Sequence, residues 1–102
     1  PHVTLPFEPS HSKAVYHLYV IATENRDALA EHLKSQGVAT GFHYPLPLHL
    51  QSCYRDLGHA KGAFPQSERA AEEVLSIPIY AELTDEQLQH VVHSIAGFYR
   101  KH

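Results

Sequence analysis

The chain has 102 residues, 43% of them hydrophobic and 19% charged, with a formal charge of −3 at pH 7 when histidine is neutral. This length accommodates one domain, and no apolar run approaches the ~20 residues that cross a bilayer. The acidic balance excludes the electrostatic signature of nucleic-acid binding, so we expect neither a nucleic-acid nor a membrane partner. The single cysteine, Cys53, excludes an internal disulfide and is typical of a reducing, cytoplasmic compartment.

The beginning of the chain predicts a linker followed by a buried strand. Residues 1–13 contain three prolines and no periodic pattern, which is typical of a linker that enters a domain from polypeptide further upstream. The domain is then predicted over residues 14–102. Residues 14–22 are apolar and rich in aromatic and β-branched side chains, and they predict a strand buried on both faces.

A helix is predicted over residues 26–36. Asn25 stands before it as the expected N-cap, with Thr23 as the alternative, because a short side chain with an oxygen can accept hydrogen bonds from free amides of a first turn. Gly37 follows it, where a left-handed residue commonly ends a helix.

The middle of the chain is dominated by prolines. Residues 38–44 predict a second strand, which Pro45 and Pro47 end. Each proline favours extended geometry in the preceding residue, so residues 41–49 are predicted to be a stiff, non-helical run. A short helix is expected over residues 50–56, before a glycine-containing loop.

Two further helices and a short strand complete the predicted elements. Pro65 suits the first turn of a helix whose buried stripe contains Ala70, Ala71, Val74 and Leu75. Residues 76–80 predict an edge strand or strand end, because they include a proline. Thr84 and Gln87 have the spacing of a capping box for a last helix. Its expected apolar face consists of Leu88, Val91, Val92, Ile95, Phe98 and Tyr99.

These elements predict an α+β fold. Their order is strand, helix, strand, loop, helix, short strand and helix. Such an order is typical of a small sheet, here of about three strands, with helices packed on one face.

The proline-bounded segment is the candidate binding site. Strand alternation places His43 opposite Phe42 and Tyr44, and the prolines hold this arrangement at a low entropic cost. His43, Tyr44, His49 and Gln51 present ring nitrogens, a phenol and an amide, which suit a phosphate, a sugar hydroxyl or a nucleobase edge. The alternative is aromatic packing at a strand end beside a proline-rich turn.

Metal and nucleophile sites are weaker interpretations. His43 and His49 are six residues apart, and His90 and His93 are three apart, whereas zinc needs three or four convergent ligands. We therefore expect surface histidines and no metal site. Cys53 lies near His49 in sequence, but a buried and inert cysteine is the favoured interpretation.

Several segments, taken together, resemble the C-terminal domain of the DegT/DnrJ-type sugar aminotransferases. The resemblance covers nearly the whole chain, from about residue 14 to residue 99. The segments that carry it are residues 16–20 (YHLYV), 25–27 (NRD), 37–49 (GVATGFHYPLPLH), 75–80 (LSIPIY) and 83–87 (LTDEQ).

The resemblance implies an aspartate-aminotransferase fold, pyridoxal phosphate as cofactor and a homodimeric full-length enzyme. Such enzymes transfer an amino group, commonly from glutamate, to a keto group of a nucleotide-linked sugar. A large N-terminal domain supplies the Schiff-base lysine, and the small C-terminal domain packs over the cleft. The resemblance also implies that His43 and Tyr44 lie near the cofactor and sugar-nucleotide mouth, with His49 further out.

The chain departs from the family pattern because it has no counterpart of the large domain. None of its lysines has the family's Ser-Phe-then-Lys context; they are Lys13, Lys34, Lys61 and Lys101. We therefore expect no cofactor bound to this chain and no activity of the chain by itself. A stand-alone small ligand-binding or regulatory module remains the alternative function.

Overall fold

The computed structural model describes residues 2–101, so residues 1 and 102, which bound the predicted linker and domain, lie outside the described residues. The fold is α+β, as predicted. Its regular elements in chain order are β1 (Tyr19–Ala22), α1 (Arg26–Ser35), two 3-10 turns (Leu48–Leu50 and Ser52–Leu57), α2 (Pro65–Glu73), β2 (Val74–Ile77) and α3 (Asp85–Lys101).

The sheet of the described chain has two strands, so the expected number of about three is wrong. β1 and β2 are antiparallel, with Tyr19 opposite Ile77 and Ala22 opposite Val74. The strand predicted over residues 38–44 is reduced to one bridge, between Gly41 and Ser76. On one side of this bridge, Pro78 lies just beyond the end of β2 and has no N–H to donate to a longer ladder.

The first strand is shorter and more exposed than predicted. It occupies four residues instead of nine, because β2 offers only four partners, and Ile21 alone is buried among them. Before it, Val15 is 95% exposed and Tyr16 has a positive φ of 51°. The Tyr16 hydroxyl donates instead to the carboxylate of Glu8 at 2.9 Å, so this stretch is held by local contacts.

Helix boundaries follow the local signals closely. α1 is confirmed to within one residue, and Gly37 after it has the expected left-handed φ of 78°. Asn25 does precede α1, but its side chain makes no capping hydrogen bond. The capping box of α3 is confirmed: the amide of Gln87 donates to Thr84 Oγ1 at 3.1 Å, and the Thr84 amide donates to Gln87 Oε1 at 3.0 Å.

The middle helices differ from the prediction in extent. α2 begins at Pro65 as expected, but it ends at Glu73, so Val74 and Leu75 belong to β2 instead of a helical stripe. The short helix expected over residues 50–56 is replaced by the two 3-10 turns. The first of these turns includes His49, so the predicted non-helical run ends before it.

The core lies between the sheet, α1 and α3. From α3 it receives Val91 and Phe98, whereas Leu88 and Val92 of the expected apolar face are 45% and 49% exposed. Its buried cluster consists of Ile21, Leu29, Leu33, Val38, Leu75, Val91 and Phe98. Across residues 2–101, no helix has both the length and the apolar character needed to cross a membrane.

Candidate functional site

The candidate site begins where Gly41 pairs with β2. The Gly41 amide donates to the Ser76 carbonyl at 3.1 Å, and the Ser76 amide donates to the Gly41 carbonyl at 2.8 Å. A Cβ atom at position 41 would lie 2.8 Å from Cε1 of the His43 ring, closer than such contacts allow. The absence of a side chain at Gly41 therefore lets the His43 ring fold back over this bridge.

His43 is anchored to the same serine through its side chain. Its Nδ1 lies 2.8 Å from Oγ of Ser76, a residue that is only 6% exposed. The His43 ring also makes an edge-to-face contact with Tyr44, whose ring centroid is 5.3 Å away. Tyr44 itself is 69% exposed. The pair therefore lies at the surface, and the buried Ser76 holds the histidine in place.

Phe42 is held by a buried cation. The guanidinium carbon of Arg26 lies 4.4 Å from the centroid of the Phe42 ring, within the range of a cation–π interaction. Nη1 of Arg26 donates to the carbonyls of Ala71 at 2.8 Å and Val74 at 3.1 Å. One arginine therefore joins the start of α1 to the α2–β2 junction and to the residue before His43.

His49 faces a carboxylate instead of open solvent. Its Nε2 lies 3.0 Å from Oε2 of Glu68, and the two side chains are 7% and 13% exposed. The same carboxylate accepts hydrogen bonds from the amides of Gly62 and Phe64. The Gly62 amide, followed by the hydrogen bond from His49, lowers the pKa of Glu68 below its ordinary value of 4.5.

The structure brings together part of the predicted group. His43, Tyr44 and Gln51 line a cavity of about 240 Å³ against α2. Gln51 also donates its amide to the Leu46 carbonyl at 3.2 Å, which folds the proline segment back on itself. The imidazole of His49 is directed to Glu68 and is not among the cavity's lining residues.

The sequence interpretation missed three residues that hold this segment, namely Arg26, Glu68 and Ser76. Arg26 and Ser76 each had a detectable signal. An arginine in the first turn of a helix opposes the helix dipole, so Arg26 needs a partner elsewhere. Ser76 interrupts an apolar strand, where a buried hydroxyl needs a hydrogen bond.

The remaining candidates do not form a catalytic centre in the described chain. Cys53 is exposed, so its expected burial is wrong, and its sulfur lies 4.0 Å from Gln51 Oε1. Residues 2–101 contain no group of three or more side chains that could hold a metal ion.

The lysines do not fit a resident pyridoxal phosphate. Lys13, Lys34, Lys61 and Lys101 are all exposed. An amine that carries this cofactor must be desolvated to act as a nucleophile, and none of these four is.

The chain is similar to known proteins over most of its length. The chain is 48% identical over 98 residues to a pleiotropic regulatory protein of Geobacillus stearothermophilus. It is 36% identical over 95 residues to a dTDP-3-amino-3,4,6-trideoxy-alpha-D-glucose transaminase of Streptomyces venezuelae. Those alignments cover 96% and 93% of this chain, respectively, and 26% and 25% of the relatives.

A solved structure and a family model support the same relationship. The structure of S. venezuelae DesV in complex with a ketimine intermediate matches with a TM-score of 0.92 and 35% identity, over 96% of this chain and 26% of that one. Residues 1–96 match the model of the DegT/DnrJ/EryC1/StrS aminotransferase family. The chain thus spans about a quarter of the length of these relatives, and it belongs to the DegT/DnrJ/EryC1/StrS aminotransferase family.

Proposed function

We propose that the chain is the small C-terminal domain of a pyridoxal-phosphate-dependent sugar aminotransferase and covers the active-site cleft. The observation that carries this proposal is the anchored presentation of His43 and Tyr44 in a chain 36% identical to a nucleotide-sugar transaminase. The lysines of this chain are exposed, so we assign the cofactor and its lysine to a separate large domain. Residues 1–13 would then link that domain to this one.

The proposed substrate is a keto sugar linked to a nucleotide, with glutamate as the amino donor. His43 offers a ring nitrogen and Tyr44 an exposed phenol, and both groups bind phosphate, carboxylate or sugar oxygens well. We assign them to substrate positioning. His49 is turned into Glu68, so its proposed contribution is to hold the neighbouring loop further from the substrate.

The proposed assembly needs an extensive docking surface, and the structure exposes apolar side chains that suit one. Phe7, Val15 and Leu48 are 89%, 95% and 66% exposed. Apolar side chains in such numbers are expected where another domain or subunit covers them. We propose the large domain and a second copy of the full-length protein as these partners, in the cytoplasm.

The deciding experiment expresses the complete reading frame that contains this chain. Purified protein is supplied with pyridoxal phosphate, glutamate and a nucleotide-linked keto sugar, and release of 2-oxoglutarate is measured. We expect turnover, and we expect His43→Gln to reduce kcat/KM by at least about tenfold, which is roughly 1.4 kcal/mol. His11→Gln is the matched control, because His11 is exposed and lies outside the site. Absence of turnover by a cofactor-loaded protein would overturn the proposal.

A regulatory module is the second candidate, favoured by the name of the Geobacillus stearothermophilus relative. It predicts that the 102-residue chain binds a nucleotide sugar or an amino acid by itself. Isothermal titration of the isolated chain distinguishes the two functions. Saturable binding with micromolar affinity favours the module, whereas the aminotransferase proposal predicts that tight binding requires the large domain.

A further inference from the structure

We propose that Ser76 is a positioning residue that holds neutral His43 in the tautomer protonated at Nε2. His43 then presents a hydrogen-bond donor to an acceptor oxygen of the substrate. The identity of that oxygen rests on the proposed function, but the state of the ring does not.

The first argument comes from the hydrogen of the Ser76 hydroxyl. Within residues 2–101, the hydrogen-bond partner of this hydroxyl is Nδ1 of His43, at 2.8 Å. If Nδ1 carried the proton, the hydroxyl would accept it and its own hydrogen would be left without an acceptor. Ser76 is 6% exposed, and an unsatisfied buried donor costs about 1–3 kcal/mol. The hydroxyl therefore donates to a bare Nδ1, which leaves the ring proton on Nε2.

The second argument is that the position of the His43 ring is restrained, so its Nδ1 has little freedom to form a different hydrogen bond. Ser76 and Gly41 exchange both of their backbone hydrogen bonds, which fixes the distance between the hydroxyl and the start of the site segment. The ring of His43 also packs over Gly41, at a position that a Cβ atom would obstruct. A half-turn of the ring would place carbon opposite the hydroxyl and break the hydrogen bond.

The consequence is that His43 favours a ligand that offers a hydrogen-bond acceptor. Nε2 of His43 makes no hydrogen bond within residues 2–101, and its attached hydrogen can be given only to an acceptor. A phosphate, carboxylate, carbonyl or hydroxyl oxygen satisfies it, whereas an ammonium group does not. Nε2 in this tautomer also has no lone pair to take a proton, so His43 binds the substrate instead of acting as a general base.

The test is a measurement of the His43 tautomer by nitrogen-15 NMR on the 102-residue chain. At about pH 8.5, where an ordinary imidazole is neutral, the protonated ring nitrogen resonates far upfield of the bare one. The His43→Gln spectrum assigns the His43 signals among ten histidines. We expect the proton on Nε2, and a slowly exchanging Ser76 hydroxyl with a nuclear Overhauser effect to the ring.

The variants separate positioning from a merely structural role. Ser76→Ala should remove the hydroxyl signal and move the His43 tautomer ratio toward that of the exposed His11, while Ser76→Thr should restore both. Ser94→Ala is the matched control, because Ser94 is equally buried but donates its hydroxyl to the His90 carbonyl. A wild-type ring protonated at Nδ1 overturns the proposal even if Ser76→Ala does not fold. The proposal is also overturned if the Ser76→Ala protein folds and its His43 tautomer ratio equals that of the wild-type chain.

No cofactor or substrate enters these measurements. The tautomer can therefore be established whether or not the full reading frame proves to be an aminotransferase. Conversely, absence of turnover in the assay of the complete reading frame would not change the measured tautomer of His43.

Discussion

The guanidinium of Arg26 lies over the ring of Phe42, with 4.4 Å between its central carbon and the ring centroid. Sixteen positions separate these residues in sequence, and they meet because β2 brings the α2–β2 junction beside the site segment. The same guanidinium satisfies two carbonyls at that junction. Arg26 is therefore the residue through which helix packing and site geometry are coupled.

Arg26→Lys is expected to destabilise the chain by about 1.5–3 kcal/mol, although the charge is kept. A lysine ammonium lacks the planar guanidinium that stacks on Phe42 while its Nη1 donates to both carbonyls. The free energy of unfolding from urea titration measures this loss. Arg69→Lys is the matched control, because Arg69 is largely exposed and its ion-pair partner within residues 2–101 is Glu73. Equal losses of unfolding free energy in the two variants would contradict the role given to the Arg26 guanidinium.

A double-mutant cycle isolates the contact between the guanidinium and the ring. Arg26→Met and Phe42→Leu should show a coupling free energy of about 0.5–2 kcal/mol, since each removes one partner of the cation–π pair. The urea unfolding of the two single variants and the double variant supplies the cycle. Additive effects would show that Phe42 packs on Arg26 without a specific attraction.

Glu68→Gln is expected to reduce stability at neutral pH and to have little effect in acid. The folded pKa of Glu68 lies below its unfolded value of 4.5, because the Gly62 amide and His49 favour the carboxylate. The contribution of Glu68 is thus fully present above that value and is lost as the pH falls through the lowered folded pKa. Urea midpoints between neutral pH and about pH 3 measure the difference.

The outcome that contradicts this linkage is a Glu68→Gln deficit that stays constant down to acid. Glu72→Gln on the same helix supplies the control, because Glu72 is exposed and its substitution should leave the urea midpoint at neutral pH nearly unchanged.

Two glycine-to-alanine substitutions should change the stability of the chain in opposite directions. Gly41→Ala places a methyl group 2.8 Å from the His43 ring and should cost about 1–3 kcal/mol, with displaced His43 resonances. Gly97→Ala in α3 meets Arg100 at an ordinary 3.7 Å and should stabilise the chain by about 0.5–1 kcal/mol. Thermal unfolding of both variants tests the pair. A harmless Gly41→Ala would show that the ring position does not depend on this glycine.

Local signals in the sequence were sufficient for the end of α1 and for the starts of α2 and α3. Pro65, Gly37 and the Thr84–Gln87 capping box act on neighbours within four residues, so their effect can be predicted without knowing the fold. Strand lengths could not be predicted in this way. The extent of β1 depends on how many residues of β2 face it, and that number is set by the end of α2 and by Pro78.

The candidate site, like the fold, could be predicted only in part from the sequence. Alternation placed His43 opposite both Phe42 and Tyr44, but it assumed a strand that the structure lacks. His43 is bonded to Ser76 and Phe42 lies on Arg26, whereas the rings of His43 and Tyr44 are in contact. Neither partner could be identified from spacing, because Ser76 is 33 residues beyond His43 and Arg26 is 16 residues before Phe42. His49 illustrates the converse, because its partner Glu68 is 19 residues away and turns it from the cavity.

The rings of His2 and Tyr99 stack with 4.8 Å between their centroids and an interplanar angle of 4°. Both extremities of the described chain are therefore adjacent in space. Polypeptide joined ahead of His2 would therefore approach the domain beside the last turns of α3. A few flexible residues would join the two ends, so a circular permutant reopened in the exposed stretch around Lys61 should retain the fold.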